Sequence, residues 1–199
     1  MKTITTLFLL PLTVILSCTS RPKILAQKVS FGIYETVRSA RVPSELIDSL
    51  KKHDVTIDPD PQSPVTGYLR MKDSANARLD LSSDSVSIVR SAYPVSNENY
   101  YYLLVAVNTQ PSITQKDIKK TLSRGNSIEI HFNLEGARKW ANLTKKNTGL
   151  MLAFVINERI YDLPMIAGQI KSGMAKINRL PDEKTASELS DAINAGIPE

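Results

Sequence analysis

Apolar and polar residues alternate along residues 29–37, and this pattern predicts a half-buried β-strand near the start of the folded part of the chain. Pro43 then predicts the start of a helix, because proline suits the first helical turn. Three apolar residues recur at helical spacing in this segment and predict its buried face: Leu46, Ile47 and Leu50.

Short strands separated by loops are predicted between residues 58 and 107. Residues 58–64 contain three prolines, which exclude regular structure because proline lacks a backbone donor and restricts the residue before it. Short strands are predicted at residues 79–81 and 86–89. Residues 100–107 are rich in aromatic and β-branched residues, so they predict a longer, buried strand.

A helix is predicted to follow this strand. Thr114 is a good N-cap, and Asp117 would lie near the positive end of the helix dipole. Ile118 and Leu122 would share one face, and Gly125 is a typical residue for a helix end.

Residues 127–132 alternate polar and apolar side chains, which predicts a strand with one buried face. Asn133 predicts the start of a second helix, and Gly149 predicts its end. The small pair at residues 136–137 would let this helix approach the sheet closely. The residues that recur at helical spacing on its predicted inner face are Leu134, Ala137, Trp140, Ala141 and Thr144.

Residues 150–156 are apolar at every position, and they predict a central strand that is covered on both sides. A turn at residues 157–158 leads to a strand at 159–161, which Pro164 ends.

Further short strands are predicted at residues 165–170 and 174–177. A last helix is predicted to begin near Pro181, with Ala186 and Ile193 among its inward residues. The order of these elements indicates an α+β fold, with helices on one face of a mainly antiparallel sheet.

The first eighteen residues have the layout of a secretory signal. Lys2 is followed by an apolar stretch at residues 7–16, and then by Ser17 and Cys18. A helix of about ten residues extends about 15 Å, half of a hydrocarbon core, so it is too short to span a membrane. Residues 15–18, Ile-Leu-Ser-Cys, also resemble a bacterial lipobox, in which the cysteine is acylated and becomes the first mature residue.

The expected lipid on Cys18 predicts a protein tethered to the cell envelope. Thr19 is not the aspartate that resembles an inner-membrane retention signal, so an outer-membrane anchor is favoured, with the body facing the periplasm. The expected organisation in chain order is a signal peptide at 1–17, a tether at 18–27, an N-terminal segment at 28–99 and a second domain at 100–199.

Composition narrows the classes of function. The 199 residues are 42% hydrophobic and 23% charged, which is ordinary for a globular protein and excludes collagen-like and disordered classes. A single cysteine excludes a disulfide framework and a cysteine-based zinc cluster. The net charge of +5 is scattered along the chain, so nucleic acid is not an expected partner.

The sequence offers no set of residues that would carry catalysis. Its two histidines are His53, at a predicted helix end, and His131, in the polar phase of a predicted strand. No G-x-S-x-G, H-E-x-x-H, P-loop or G-x-G-x-x-G motif is present. We therefore expect no enzyme activity, no metal and no cofactor.

Two sets of residues are candidates for binding a partner. Tyr100 and Tyr102 would place aromatic rings on one face of their strand, although packing of Tyr101 in the core explains the same pattern equally well. The basic residues of the second helix, which would meet acidic headgroups, a protein partner or solvent, include Arg138, Lys139 and Lys145.

The sequence from residue 113 onward resembles the head subdomain of the first periplasmic region of SecD, a subunit of the SecDF protein-export complex. The matching segments occur in the same order: ITQKDIKK at 113–120, IEIHFNLEGARKWANLTKKNTG at 128–149, LAFVINERIYDLPMIAGQIKSGMAKIN at 152–178 and DEKTASELSDAINAGIPE at 182–199. The resemblance implies a ferredoxin-like head, which the strand at 100–107 would complete. A smaller α+β segment would precede it.

The leading hypothesis is a membrane-anchored periplasmic lipoprotein that is accessory to export, whose head-like domain binds Sec translocon components or exported polypeptides. The alternative is an envelope lipoprotein that binds a small ligand or a lipid and is unrelated to export. A deep apolar pocket lined by Tyr101, Phe132 and Phe154 would favour the alternative.

Overall fold

The computed structural model describes residues 29–70, 81–95 and 101–198. The predicted lipid site at Cys18, the signal peptide, the tether and Tyr100 lie outside these residues. The first half of the described chain forms, in order, β1 (Phe31–Glu35), α1 (Ser44–Leu50), β2 (Val55–Ile57), β3 (Val65–Arg70), β4 (Leu81–Ser82), β5 (Val86–Ser91) and β6 (Tyr101–Asn108), with a 3-10 turn at Ser39–Arg41 before α1.

The second half begins with β7 (Ile113–Thr114) and a 3-10 turn at Gln115–Asp117. It continues with β8 (Ile118–Arg124), β9 (Ser127–Phe132), α2 (Leu134–Lys146), β10 (Leu152–Ile156), β11 (Arg159–Asp162), β12 (Met174–Ile177) and α3 (Glu183–Ala195). No helix among residues 29–70, 81–95 and 101–198 is long and apolar enough to cross a membrane.

The larger sheet has the strand order β2-β3-β6-β5-β11-β10-β1-β7, with β4 paired to β5. The β11–β5 pair is parallel and the others are antiparallel. Thr36, just after β1, also pairs with Val107 of β6, and the Val37 N–H donates to the Ala106 carbonyl at 2.8 Å. Strands β1, β6, β5, β11 and β10 therefore close into a ring.

The smaller sheet has the order β12-β9-β8 and is antiparallel. Ile128 and Ile130 of β9 share one buried cluster with Trp140 of α2 and Ile193 of α3, so both helices lie on the same face of this sheet. The expected α+β fold, with helices packed on one face of an antiparallel sheet, is confirmed in this part of the chain.

Strand β10 is buried along its whole length because it has a core on each side. Leu152, Phe154 and Ile156 belong to the cluster shared with α2 and α3, whereas Ala153 and Val155 point into the ring of five strands. This confirms the prediction of a central strand from its continuous apolar run.

The helix predicted after Thr114 is wrong. The predicted cap is present, because Thr114 and Asp117 form a reciprocal capping box, but it closes a single 3-10 turn. Residues 118–124 then form β8, and a β-bulge after Ile118 places Ile118 and Thr121 on the same buried side. The bulge thus imitates helical spacing in the sequence, and Gly125, at φ +55°, makes the turn into β9.

The strand predicted at residues 165–170 is also wrong. Met165 makes one bridge to Met151, and the chain then leaves the sheet. The N–H of Ile170 donates to the hydroxyl of Thr144 on α2 at 2.9 Å instead of to a neighbouring strand.

The N-terminal segment shares its sheet with the later part of the chain. Strand β1 lies between β10 and β7, and β6 pairs with both β3 and β5. The proposed boundary between residues 99 and 100 therefore does not coincide with a break in the sheet. Helix α1, predicted from its apolar spacing, buries Leu46 and Leu50 against this sheet.

Candidate functional site

An apolar cavity of about 470 Å³ lies beside β12, between this strand, α2 and the loop that follows β11. We call it the β12 groove. Its apolar lining includes Trp140, Phe154, Met165, Ile166, Ile170 and Met174. Its volume lies within the range of natural ligand sites, and its lining is of the kind that binds apolar groups.

Trp140 forms the floor of the groove. It lies on the buried face of α2, and its ring contacts Phe132 and Phe154 at centroid distances of 5.6 and 6.1 Å. The indole is only 2% exposed, and its Nε1 has no hydrogen-bond partner. A buried donor without an acceptor costs about 1–3 kcal/mol, so the indole is held in place by its apolar and ring contacts rather than by a hydrogen bond.

The rim of the groove carries exposed apolar side chains. Met165 is 64% exposed, Met174 is 39% exposed and Ile170 is 36% exposed. Exposed apolar side chains that line one cavity mark a surface for binding rather than for solvent. Methionine is unbranched and polarizable, so it adapts to partners of different shape.

Hydrogen bonds to α2 hold the loop that forms one wall of the groove. Thr144 accepts the Ile170 N–H, and the Gln169 side chain donates to the Ala141 carbonyl at 3.3 Å. At the far end of the loop Gly173 has φ +68°, a left-handed conformation that glycine adopts without strain. The two hydrogen bonds therefore fix this wall of the groove to α2.

The N-cap of helix α2 and its buried face position Trp140 in the groove. The Asn133 side chain accepts the Gly136 N–H at 2.9 Å, which confirms the predicted N-cap. The inner face consists of Gly136, Trp140, Leu143 and Thr144. Leu134, which the sequence placed on this face, is 72% exposed because it lies in the first turn beyond the sheet.

Tyr102 is buried, so the prediction that it presents its ring to a partner at the surface is wrong. It is 5% exposed, and the guanidinium of Arg90 lies over its ring, 4.3 Å from the centroid. The reason is the packing of α1 on the same face of β6, which covers alternate residues of the strand. Tyr101, on the opposite face, is half-buried.

The basic residues of α2 differ in their surroundings. Arg138 and Lys145 are exposed, and partner binding by them stays a prediction. Lys139 instead forms an ion pair with the buried Asp117, with Nζ 2.7 Å from Oδ1. The hydrogen bond that Lys139 donates to this carboxylate raises the pKa of Lys139. Lys139 therefore has a structural contact that the sequence did not indicate.

No titratable cluster lies in the groove. Glu129 and Lys176 are its charged lining residues, and they face each other across the β9–β12 pair. Within the described part of the chain, no group of three histidine, cysteine, aspartate or glutamate side chains is placed to hold a metal ion. The groove can bind apolar groups and backbone, and it offers no nucleophile with an adjacent base.

Sequence reasoning did not find the β12 groove. The apolar residues 164–167 precede a glycine, and the sequence assigned them to a strand. Of the three aromatic residues expected to line a ligand pocket, Phe154 lines the groove, whereas Tyr101 and Phe132 do not. The missed signal is an apolar run that follows Pro164 and ends at Gly168, outside any regular element.

Comparison with known proteins gives a consistent set of relatives. Residues 91–197 match the family model described as SecDF, P1 head subdomain. The chain is 35% identical over 69 residues to the protein translocase subunit SecDF of Thermus thermophilus, covering 35% of this chain and 9% of the relative. It is 28% identical over 89 residues to the protein translocase subunit SecD of Acidaminococcus fermentans, covering 42% of this chain and 21% of the relative.

A solved structure described as SecDF, a membrane component that enhances protein export, aligns with 86% of this chain and 64% of its own length. The TM-score is 0.48 at 18% sequence identity. The matched regions of the curated relatives amount to about a fifth of their length or less.

Proposed function

The chain belongs to the SecDF P1 head subdomain family, and from this premise we propose that it is a non-catalytic accessory of protein export that binds exported polypeptides in the β12 groove. The family model covers more than half of the chain. The export role in this proposal comes from the names of the relatives, which are protein translocase subunits.

The observation that carries the proposal is an apolar groove with a methionine rim. Exported polypeptides differ in sequence, so their binding site must accept many side chains. Met165 and Met174 provide adaptable apolar contacts. Trp140 provides a large apolar floor.

The test is binding of a permanently unfolded polypeptide, a reduced and carboxymethylated protein, to the purified chain. Trp140 is the single tryptophan, so its fluorescence reports on the groove directly. We expect Met165→Ser combined with Met174→Ser to weaken binding at least tenfold. Leu134→Ser is the matched control, because Leu134 is equally apolar and more exposed but lies outside the groove.

Two outcomes would contradict the proposal. One is equal loss of binding in the double variant and in the Leu134→Ser control, which would indicate general hydrophobic adhesion. The other is no binding of the unfolded polypeptide by the unsubstituted chain.

A second candidate function is binding of a small ligand or lipid, because a cavity of about 470 Å³ is large enough to hold one. Native mass spectrometry of the protein from its own cell envelope distinguishes the two. A stoichiometric small molecule that competes with the unfolded polypeptide would favour this second function.

We also propose that a lipid on Cys18 anchors the protein, with the body in the periplasm. The lipobox-like residues 15–18 support the anchor, and Thr19 supports the outer membrane. Radiolabelled palmitate should enter the protein and be absent from the Cys18→Ala variant, which should leave the membrane fraction. Recovery of the labelled protein in the inner-membrane fraction would contradict the outer-membrane assignment alone.

A further inference from the structure

Strand β12 pairs with β9 on one side only. The Phe132 N–H donates to the Gly173 carbonyl at 3.0 Å, which identifies residues 132 and 173 as a hydrogen-bonded pair. Bonded and non-bonded pairs alternate along an antiparallel ladder. In the observed register, Ala175 and Ile177 therefore bond β9, and the backbone groups of Met174 and Lys176 point away from the sheet.

These outward backbone groups face the β12 groove. Met174 and Lys176 both line its cavity. Their N–H and carbonyl groups form no hydrogen bond with any other residue in the described ranges. The unpaired backbone groups of β12 therefore lie beside an apolar cavity.

The opposite edge of the same sheet is bonded to α3 at one position. On β8, the Thr121 N–H donates to the Asn194 side-chain oxygen at 2.7 Å, and the Asn194 amide donates back to the Thr121 carbonyl at 3.0 Å. At Thr121 the side-chain amide of α3 thus takes the place of a neighbouring strand. The two edges of the smaller sheet therefore differ, because no such bond reaches Met174 or Lys176 in the described ranges.

Strand β12 carries only part of the protection that exposed edges have. Proteins block such edges with short strands, lysines, proline or bulges. Strand β12 is short and contains Lys176. It contains no proline, and its pairing with β9 is regular throughout, so the outward backbone groups of Met174 and Lys176 remain at the edge.

Resting on the function proposed above, we infer that polypeptides bind in the β12 groove as an added β-strand, paired with Met174 and Lys176. The occupant is an extended segment with apolar residues at alternate positions. Side chains on one face of such a strand all point in one direction, so alternate residues enter the apolar cavity and the intervening ones face solvent.

The first test uses a seven-residue peptide with leucine at alternate positions and two N-methylated forms of it. One form is methylated on the leucine nitrogens and the other on the intervening nitrogens. Successive N–H groups of a strand point to opposite sides, so only one form should lose its bonds to β12. We expect that form to bind at least tenfold more weakly and the other to bind within about threefold of the parent peptide.

Equal binding of the parent and both methylated forms would overturn strand pairing and leave the proposed function intact. No binding of any form, with no binding of unfolded protein, would overturn both. In the supporting case, the fluorescence of Trp140, which lines the cavity, should also change when the parent peptide binds.

The second test changes the protein. Lys176→Pro removes a backbone donor at the open edge, a position where proline is tolerated because no ladder bond is lost. Lys176→Ala is the control, since it removes the charge and keeps the donor. We expect peptide affinity to fall at least tenfold in the proline variant and less than threefold in the alanine variant, with similar melting temperatures.

Equal affinities of the two variants would overturn the inference, and the peptide test decides it if the proline variant does not fold. A second copy of the chain is the competing occupant of the same edge. Self-pairing predicts that the unsubstituted chain forms concentration-dependent dimers that do not bind the peptide, and that the Lys176→Pro variant is monomeric. This result would overturn the inference that a polypeptide from another protein occupies the edge.

Discussion

Gly136 lies against the backbone of Asp117, and a methyl group at residue 136 would overlap the Asp117 carbonyl oxygen. This contact joins the first turn of α2 to the 3-10 turn that precedes β8. The Asn133 N–H donates to the same carbonyl at 3.0 Å. The sequence predicted close packing at this small residue. The structure shows that the Asp117 carbonyl oxygen occupies the space that a side chain at residue 136 would need. The position of the first turn of α2 therefore depends on glycine at residue 136.

We predict that Gly136→Ala destabilises the protein by about 3 kcal/mol, because neither backbone can yield without loss of the Asn133 cap. Urea unfolding measures the change. Gly168→Ala is the control, since a Cβ there meets no atom within 4 Å. A loss in Gly136→Ala no larger than in the control would show that α2 shifts without cost.

Asp117 is predicted to be the most important charged residue for stability near this contact. Its Oδ2 accepts the Thr114 N–H at 2.8 Å, and its Oδ1 accepts from Lys139. Asp117→Ala should cost about 3 kcal/mol, because it removes both bonds from a buried site. An unfolding free energy within about 1 kcal/mol of the parent protein would contradict this.

The Lys139 contact should weaken in alkali. The pKa of Lys139 is raised in the folded state, above an ordinary value of 10.5. Its contribution is therefore fully present below pH 10.5 and is lost as the pH rises through the folded pKa. The stability difference between the parent and Lys139→Met should therefore shrink as the pH rises above 10.5. Lys145→Met, an exposed change on the same helix, should show no such trend.

Tyr93 should make the fold sensitive to high pH. Burial first, and then the neighbouring Tyr161 and Asp182, raise the pKa of Tyr93 to about 12 from an ordinary value of 10.0. The unfolded chain therefore loses this proton first, and stability falls between about pH 10 and pH 12. Tyr93→Phe, which keeps the edge-on contact with Tyr161, should show a shallower decline in melting temperature. Parallel declines would contradict the prediction.

Arg90 is a buried cation whose replacement should be tolerated. It is 5% exposed, and its Nε and Nη1 have no hydrogen-bond partner. Desolvation, followed by the nearby Arg159, lowers the pKa of Arg90. Arg90→Met keeps apolar contact with the Tyr102 ring and should leave stability unchanged or raise it by about 1 kcal/mol. A loss above about 2 kcal/mol in urea unfolding would show that the stacked charge itself stabilises the fold.

Elements with strong local signals were predictable from the chain. The Asn133 side chain accepts a backbone N–H at the start of α2, as expected for an N-cap. The last helix begins close to Pro181, as predicted, and there the Asp182 side chain accepts a backbone N–H. The continuous apolar run of β10 also indicated its two covered faces. In each case the signal comes from residues that are close together in the sequence, either within one helical turn or along one strand. Such signals can be read directly from the sequence.

The failures at residues 115–124 and 165–170 have a common cause. The first segment has a genuine cap and a three-residue spacing of buried side chains, but pairing with β9 makes it a strand with a bulge. The second is apolar enough for a strand, but Thr144 on α2 takes its backbone donor. Both outcomes depend on a partner outside the segment itself, the next strand in the first case and α2 in the second.

The sequence alone therefore determined the elements with strong local signals, the Asn133 cap, the α+β class and the lipobox-like start. The tertiary structure decided which strand edge stays open, which methionines surround Trp140, and that Tyr102 lies beneath Arg90. These features exist only where separate segments meet, since burial and hydrogen-bond satisfaction belong to the packed chain and not to any one segment of it.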